Sequence, residues 1–203
     1  MQQIPSASYT STLRVKLTNR PGTLGQVTTA IGRAGAQDLR GAHFCIEGDA
    51  KAVAAARRLV RALGGRSFTI APSDKALYHA AAVLASGHTV ALFDLASELL
   101  ARCGVAPAAA RKALLPLTAS TLANLLAAAQ PAAALTGPFA RGDAATVRRN
   151  LTALAASDDE SALKIYILLG QRALQLAEQT GINAGTRAEI AAALASALRR
   201  QHN

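Results

Sequence analysis

The chain has 203 residues, 51% of them apolar and 17% charged, which excludes a miniprotein and a disordered chain and leaves room for one ordinary domain or two small ones. Aromatic residues make up 3%, with no Trp, while Ala fills 49 positions; that balance excludes an aromatic-rich β-sandwich and favours close-packed helices. The net charge of +10 is uneven, with ten Lys or Arg against three acids in residues 1–72 and twelve against nine beyond. The basic residues come singly or in pairs with no aromatic interleaving, so a solvated basic surface is expected and no nucleic-acid partner.

Residues 10–18 alternate at Leu13, Val15 and Leu17, the period of a half-buried strand. The turn through Pro21 and Gly22 leads into a helix with Leu24, Val27 and Ile31 on one side and Gly35 at its exit. A second strand fits 42–46. A helix follows from about Asp49 to Leu63, with Asp49 as cap and Gly64-Gly65 as terminator, and a third strand fits 67–70. Residues 1–72 therefore read as a small β-α-β-α-β section with a parallel or mixed sheet, the α/β or α+β part of the fold.

Residues 73–203 read as a larger all-helical domain. Ser73-Asp74 is expected to cap a long helical stretch to about Cys103, interrupted only by Gly87. Pro107 opens a leucine-rich helix with Pro116 as an expected bend. A connector at 130–142 precedes helices capped by Asp143 and by the Ser157-Asp158-Asp159 cluster, and a last helix covers about 186–200. No uninterrupted apolar run reaches the ~18–20 residues of a membrane span, and the opening residues show no secretory pattern, so no membrane partner and a cytoplasmic location are expected.

Three constellations carry chemistry. The loop Arg20, Gly22, Thr23, Leu24 and Gly25 sits at a strand-to-helix turn, where backbone N–H groups can hold an anion or simply let the chain turn tightly. Lys75, Tyr78, His79, Ala82 and Ser86 fall along one helix face. A Lys and a His one turn apart can hold a carbonyl or hydroxyl oxygen and pass a proton, the alternative being that both are solvated side chains. Ser86, Asn124, Thr136, Arg141 and Asp143 are candidate substrate-binding residues, although Asn124, as a lone amide on an apolar helix, reads first as a satisfied core amide. Cys45 and Cys103 are expected to be reduced core thiols, and no metal-ligand spacing appears. The Gly-x-Gly-x-x-Gly turn of a dinucleotide site is missing, so no cofactor follows from the motifs.

From about Gly41 onward, the runs His43 to Asp49, Leu63 to Arg66, Asp74 to Ala82, Leu135 to Pro138 and Arg141 to Asp143 resemble an uncharacterised bacterial family in which a Rossmann-like module precedes a helical domain of unknown function. That family is similar in architecture to ketopantoate reductase, pyrroline-5-carboxylate reductase and the 3-hydroxyacid dehydrogenases, a class with a helical part like that of 6-phosphogluconate dehydrogenase. The resemblance implies a reductase or dehydrogenase acting on a small carbonyl compound or hydroxyacid. It also implies NADP as a cofactor, a homodimer, and Lys75 and His79 in the place of a catalytic Lys and Asn pair. Residues 4–36 instead resemble the opening of an ACT domain as found in some malic enzymes. This implies a small-molecule regulatory site at the Arg20 to Gly25 loop, or a non-catalytic dimeric remnant if neither function survives.

Overall fold

The computed structural model describes residues 40–157 and 159–200. The predicted first strand and helix, and with them the loop holding Arg20, Gly22, Thr23, Leu24 and Gly25, lie outside the described residues. The chain divides into two compact units, one up to Val90 and one from Ala91.

The first unit is built on a β-α-β crossover: β1 (His43–Ile46), α1 (Ala50–Ala62) and β2 (Arg66–Thr69). The strands pair in parallel, His43 opposite Arg66 through Ile46 opposite Thr69. Helix α1 starts where the Asp49 carboxylate accepts the Ala52 N–H at 2.8 Å, an N-cap that satisfies one of the four orphan donors. It stops at Gly64, whose φ of 74° belongs to the left-handed region, while the Gly65 N–H donates to the Val60 carbonyl. Gly65 has a steric reason as well: a Cβ there would lie 2.6 Å from the Phe44 ring. The turn thereby sets β2 beside β1. Leu59 and Val60 on α1 are buried, as is Ile46 on β1, each contributing about 1.5–3 kcal/mol. Among the described residues the sheet has two strands, a marginal pair by itself that gains from packing against α1.

After β2, a 3-10 turn at Pro72–Asp74 leads into α2 (Lys75–Ala85) and α3 (Gly87–Arg102). The expected Ser73-Asp74 cap takes another form, because Asp74 is already in right-handed helical conformation and makes no side-chain cap bond; its carboxylate accepts from the Ser73 hydroxyl instead. The break between the helices falls at Ser86, one residue before the expected Gly87, with φ −117° and ψ −75°. The stretch Pro72–Arg102 is long and apolar enough to cross a membrane by length and composition. Counting uninterrupted apolar runs misses it because Lys75, His79, His88, Asp94 and Glu98 punctuate it.

In the second unit, α4 (Pro107–Ala127) contains Pro116 without ending there. The segment expected as a plain connector holds two short helices, α5 (Pro131–Ala134) and α6 (Gly137–Arg141). Each carries Pro in its first turn, where a missing N–H costs nothing. Three long helices follow, α7 (Ala144–Ala155), α8 (Glu160–Gln179) and α9 (Ala184–Arg200). Their apolar residues recur at helical spacing: Ala144, Val147 and Leu151; Leu163, Ile167 and Leu174; Ile190, Leu194 and Ala197. These stripes meet in one core with Phe139 of α6. Gly170 on α8 is the close-approach point, since a Cβ would lie 2.8 Å from Phe139 Cζ and 3.1 Å from Leu194 Cδ2. The Asp143 and Asp159 side chains accept the Thr146 and Ala162 N–H groups, capping α7 and α8 as expected.

Two expectations are corrected. Cys103 is exposed, not a core thiol, because it follows the last turn of α3. Asn124 is exposed on α4, so it is no core amide; the packed side of α4 runs through Ala110, Leu114 and Thr118 instead.

Candidate functional site

Because β1 and β2 are parallel, their carboxyl ends share one edge. Glu47 leaves β1 at that edge, and the chain leaving β2 turns through Pro72–Asp74 to place Lys75 at the first position of α2. The Lys75 ammonium lies 2.8 Å from the Glu47 carboxylate. Both ends are solvent-accessible, 58% for Lys75 and 37% for Glu47, so the pair contributes only about 0.2–1 kcal/mol to stability. Its consequence is directional, in that it holds a long, flexible cation over the carboxyl edge of the strands. Half-buried Cys45 lies within range of both groups: burial pushes its thiol up, Glu47 adds to this, and Lys75 opposes it, so the sulfur is a neutral neighbour.

His79 stands one turn beyond Lys75 and is exposed. Tyr78 turns inward, its ring edge-on to Phe68 of β2 with centroids 5.8 Å apart, which fixes the rotation of α2 on the sheet. The stripe anticipated from the sequence thus divides. Lys75 and His79 present polar groups to solvent at the strand edge, whereas Ala82 and Ser86 are half-buried. The Ser86 hydroxyl donates to the Ala82 carbonyl at 2.8 Å, at the break between α2 and α3.

The remaining candidates belong to the second unit. Thr136 and Arg141 are exposed at the two ends of α6, and Asp143 follows it. The Asp143 carboxylate accepts the Thr146 N–H at 2.9 Å and the Thr146 hydroxyl at 2.7 Å. The hydroxyl first, then the amide and the nearby Arg149 and Arg141, hold its pKa below the usual carboxylate range. Its principal engagement is the start of α7. Asn124 stands apart on α4. The structure therefore groups Lys75 and His79 with Glu47, and Thr136, Arg141 and Asp143 around α6.

Glu47 is the residue that sequence reasoning missed. The available signal was its position just past a strand end, where open α/β sheets bind ligands; its partnership with Lys75 depends on the parallel pairing of β1 with β2.

The α1 terminus tests whether a dinucleotide fits. A pyrophosphate would need the open N–H groups of a helix entered through a glycine-rich turn. Here the turn is Glu47-Gly48-Asp49, and the Asp49 carboxylate already accepts the Ala52 N–H at 2.8 Å, placing a negative charge where the phosphate would sit. The α1 entry does not fit the group. Elsewhere, an open groove of about 440 Å³ lies beside Leu151, Leu163, Asp159, Glu160 and Arg200. Asp159 there is engaged by the Ala162 N–H, the Ser161 hydroxyl and Arg102. Among the described residues, no three or more His, Cys, Asp or Glu side chains gather to hold a metal.

A parallel β-α-β unit with a polar carboxyl edge, followed in the chain by a helical unit, matches a Rossmann-like module with a helical domain. The family described as "Domain of unknown function (DUF2520)" matches residues 42–173, and the chain belongs to that family. The residues resembling an ACT opening precede this match. The chain is also similar in structure to a protein described as "putative NADP oxidoreductase" from Bacteroides fragilis, with a TM-score of 0.53 and 26% identity over 68% of this chain. It spans about half of that protein's chain, 51%. No curated protein matches.

Proposed function

We propose that the chain serves the substrate side of oxidoreductase-type chemistry, binding a small carbonyl compound or hydroxyacid at Lys75 and His79. The observation that carries this reading is the Lys75 ammonium held by Glu47 at 2.8 Å over the carboxyl edge of a parallel strand pair, with exposed His79 one turn further along α2. An ammonium there donates to a substrate oxygen and stabilises the negative charge that grows on it when a carbonyl is reduced. His79 orients the same oxygen or a neighbouring carboxylate and moves a proton to or from it. The name of the Bacteroides fragilis neighbour adds the oxidoreductase class and NADP. The α1 entry itself does not fit a pyrophosphate, so Lys75 and His79 act on the substrate oxygen and not on the cofactor.

Calorimetric titration with a panel of small 2-oxoacids and 3-hydroxyacids tests the reading. It expects saturable binding of at least one member, and silence across the panel at millimolar concentration would remove Lys75 and His79 from any substrate site. A parallel titration followed by nicotinamide fluorescence expects no saturable NADPH binding below about 1 mM, the point where only about 4 kcal/mol is available. Micromolar NADPH affinity would show that a cradle exists apart from the α1 entry.

A further inference from the structure

The charges of the first unit are sorted by strand edge. Helix α1 runs back from Asp49 at the carboxyl edge of the strands to Gly64 at their amino edge, so its last turns lie beside the first residues of β1 and β2. Within residues 40–90 the three acids, Glu47, Asp49 and Asp74, all belong to the carboxyl edge. At the amino edge stand Arg57, Arg58, Arg61 and Arg66, every one exposed, together with exposed His43, which pairs opposite Arg66. On α1 the three arginines span about 100° of the helix surface, on the side away from buried Leu59 and Val60. In the sequence these residues are one adjacent pair and two single arginines, a dispersal that predicts only a solvated surface. The β-α-β crossover gathers them.

Their lack of partners sets them apart. Lys75, Arg102, Arg148, Lys164 and Arg187 each hold a carboxylate. Among the described residues, Arg57, Arg58, Arg61 and Arg66 hold none, and the Arg61 side chain donates only from Nε to the Arg57 carbonyl, at 3.5 Å. The helix dipole favours a cation in the last turn, where Arg61 lies, but does not account for the other three. Like charges three and four residues apart repel, and a ligand carrying several negative charges relieves that repulsion. The chemistry of the edge selects the ligand. All four residues are Arg, whose planar fork meets two phosphate oxygens at once. The exposed large apolar side chains of this unit, Phe68, Leu77, Leu84 and Val90, lie toward the far end of β2 and on α2 and α3, and none falls within residues 57–66. A protein partner needs apolar or aromatic anchors, and a bilayer needs a free apolar helix face, whereas α1 buries its own. The backbone of a nucleic acid needs neither. With no exposed aromatic ring among the described residues of this edge to stack on a base, contact stays on the phosphates and carries no sequence preference.

We propose that the amino edge of β1 and β2, with the end of α1, binds the phosphodiester backbone of nucleic acid through Arg57, Arg58, Arg61 and Arg66, without reading bases. The test is fluorescence anisotropy of the full chain with a labelled mixed-sequence duplex of about 20 base pairs, and with its single strand, between about 50 and 200 mM salt. Binding is expected to both, and on the duplex a plot of log affinity against log salt should fall with a slope of about −3 or steeper, as for four neutralised phosphates. Arg57→Gln combined with Arg61→Gln is expected to flatten that slope by about 1.8 and to weaken binding by ~10-fold or more at low salt. Arg57→Lys with Arg61→Lys keeps both charges and should keep the slope. Arg111→Gln with Lys112→Gln removes the same charge from α4 and is expected to change affinity by less than ~3-fold. Far-UV circular dichroism is expected to be unchanged in all of them. If the paired Gln change unfolds α1, Arg66→Gln alone gives the comparison, with a slope flatter by about 0.9. Silence with both nucleic acids at ~100 µM protein and low salt overturns the proposal, as does equal weakening by the α4 pair. Equal affinity for polyglutamate would replace phosphate by carboxylate as the ligand, and flotation with anionic vesicles without nucleic-acid binding would assign the edge to a bilayer; either result overturns it.

Discussion

Lys75→Ala separates binding from folding, because the two effects differ in size and can differ in sign. On the folding side the substitution removes an exposed ion pair with Glu47, 2.8 Å long and 58% exposed at the lysine, a loss of about 0.2–1 kcal/mol. Against this, Ala is the stronger helix former by a few tenths of a kcal/mol. Removing a cation from the first position of α2 also relieves about 0.3–1 kcal/mol of unfavourable dipole interaction. The balance lies within about 1 kcal/mol of zero, a Tm shift of no more than ~2–4 °C for a chain of this length. On the binding side, a hydrogen bond from a charged donor to substrate oxygen contributes about 1.5–3 kcal/mol, which converts to a ~10- to 150-fold loss of affinity. Thermal unfolding by circular dichroism, run beside calorimetry with whichever oxoacid the wild type binds, reads both quantities. Glu47→Gln serves as companion, expected to keep the fold and weaken binding less than Lys75→Ala, since it leaves the ammonium in place. An unchanged affinity in Lys75→Ala, or a Tm drop well beyond 4 °C, would mean that Lys75 supports the fold instead of a ligand.

Gly170→Ala tests the tightest point of the helical core: contact with Phe139 Cζ at 2.8 Å and Leu194 Cδ2 at 3.1 Å costs about 1–3 kcal/mol of overpacking, against about 1 kcal/mol gained in helix propensity. A lower urea midpoint is expected, and a higher one would show that the Phe139 ring yields easily. Leu194→Ala, at a residue 1% exposed, is expected to lose about 2–5 kcal/mol; a loss below 1 kcal/mol on denaturation would remove it from the core. Asp143 and Asp159 are both held below the usual carboxylate range, chiefly by the Thr146 hydroxyl and the Ala162 amide respectively. A lowered folded-state pKa stabilises fully above the unfolded value of about 3.9, and that stabilisation is lost as pH falls through the folded value. Urea midpoints should therefore hold level from neutral pH to about 5 and decline below about 4, less steeply in Thr146→Val; a stability rising on acidification contradicts the assignment.

Long elements with a full apolar period were legible in the sequence. The stripes through Val147 and Leu151, Leu163 and Ile167, and Ile190 and Leu194 announce α7, α8 and α9, and the caps at Asp49, Asp143 and Asp159 mark helix starts within a residue. The short helices α5 and α6 were not, because four or five residues carry no period; only Pro131 and Pro138 signal them. On α4, apolar residues occupy two faces, and the pattern cannot say which is packed until Ala110 and Leu114 are seen against the rest. At the site, the Lys75–His79 spacing was readable as one helix face, whereas Glu47, 28 positions earlier in the chain, reaches Lys75 only because β1 and β2 run parallel. Local spacing reveals pairs on one element, and pairs made by topology need the sheet.

The α1 terminus and the carboxyl edge of the strands have separate structural origins in the first unit. A helix amino end presents orphan N–H groups and a positive dipole, and either a side-chain carboxylate or a bound phosphate satisfies them. Asp49 supplies the carboxylate at 2.8 Å, which secures the helix and closes that position to an anion. The carboxyl edge survives this exchange, because it arises from the parallel direction of β1 and β2 and from the turn that brings Lys75 back over Glu47, neither of which requires a glycine-rich loop. A ligand recognised by Lys75 and His79 is therefore compatible with an α1 entry that does not fit a pyrophosphate.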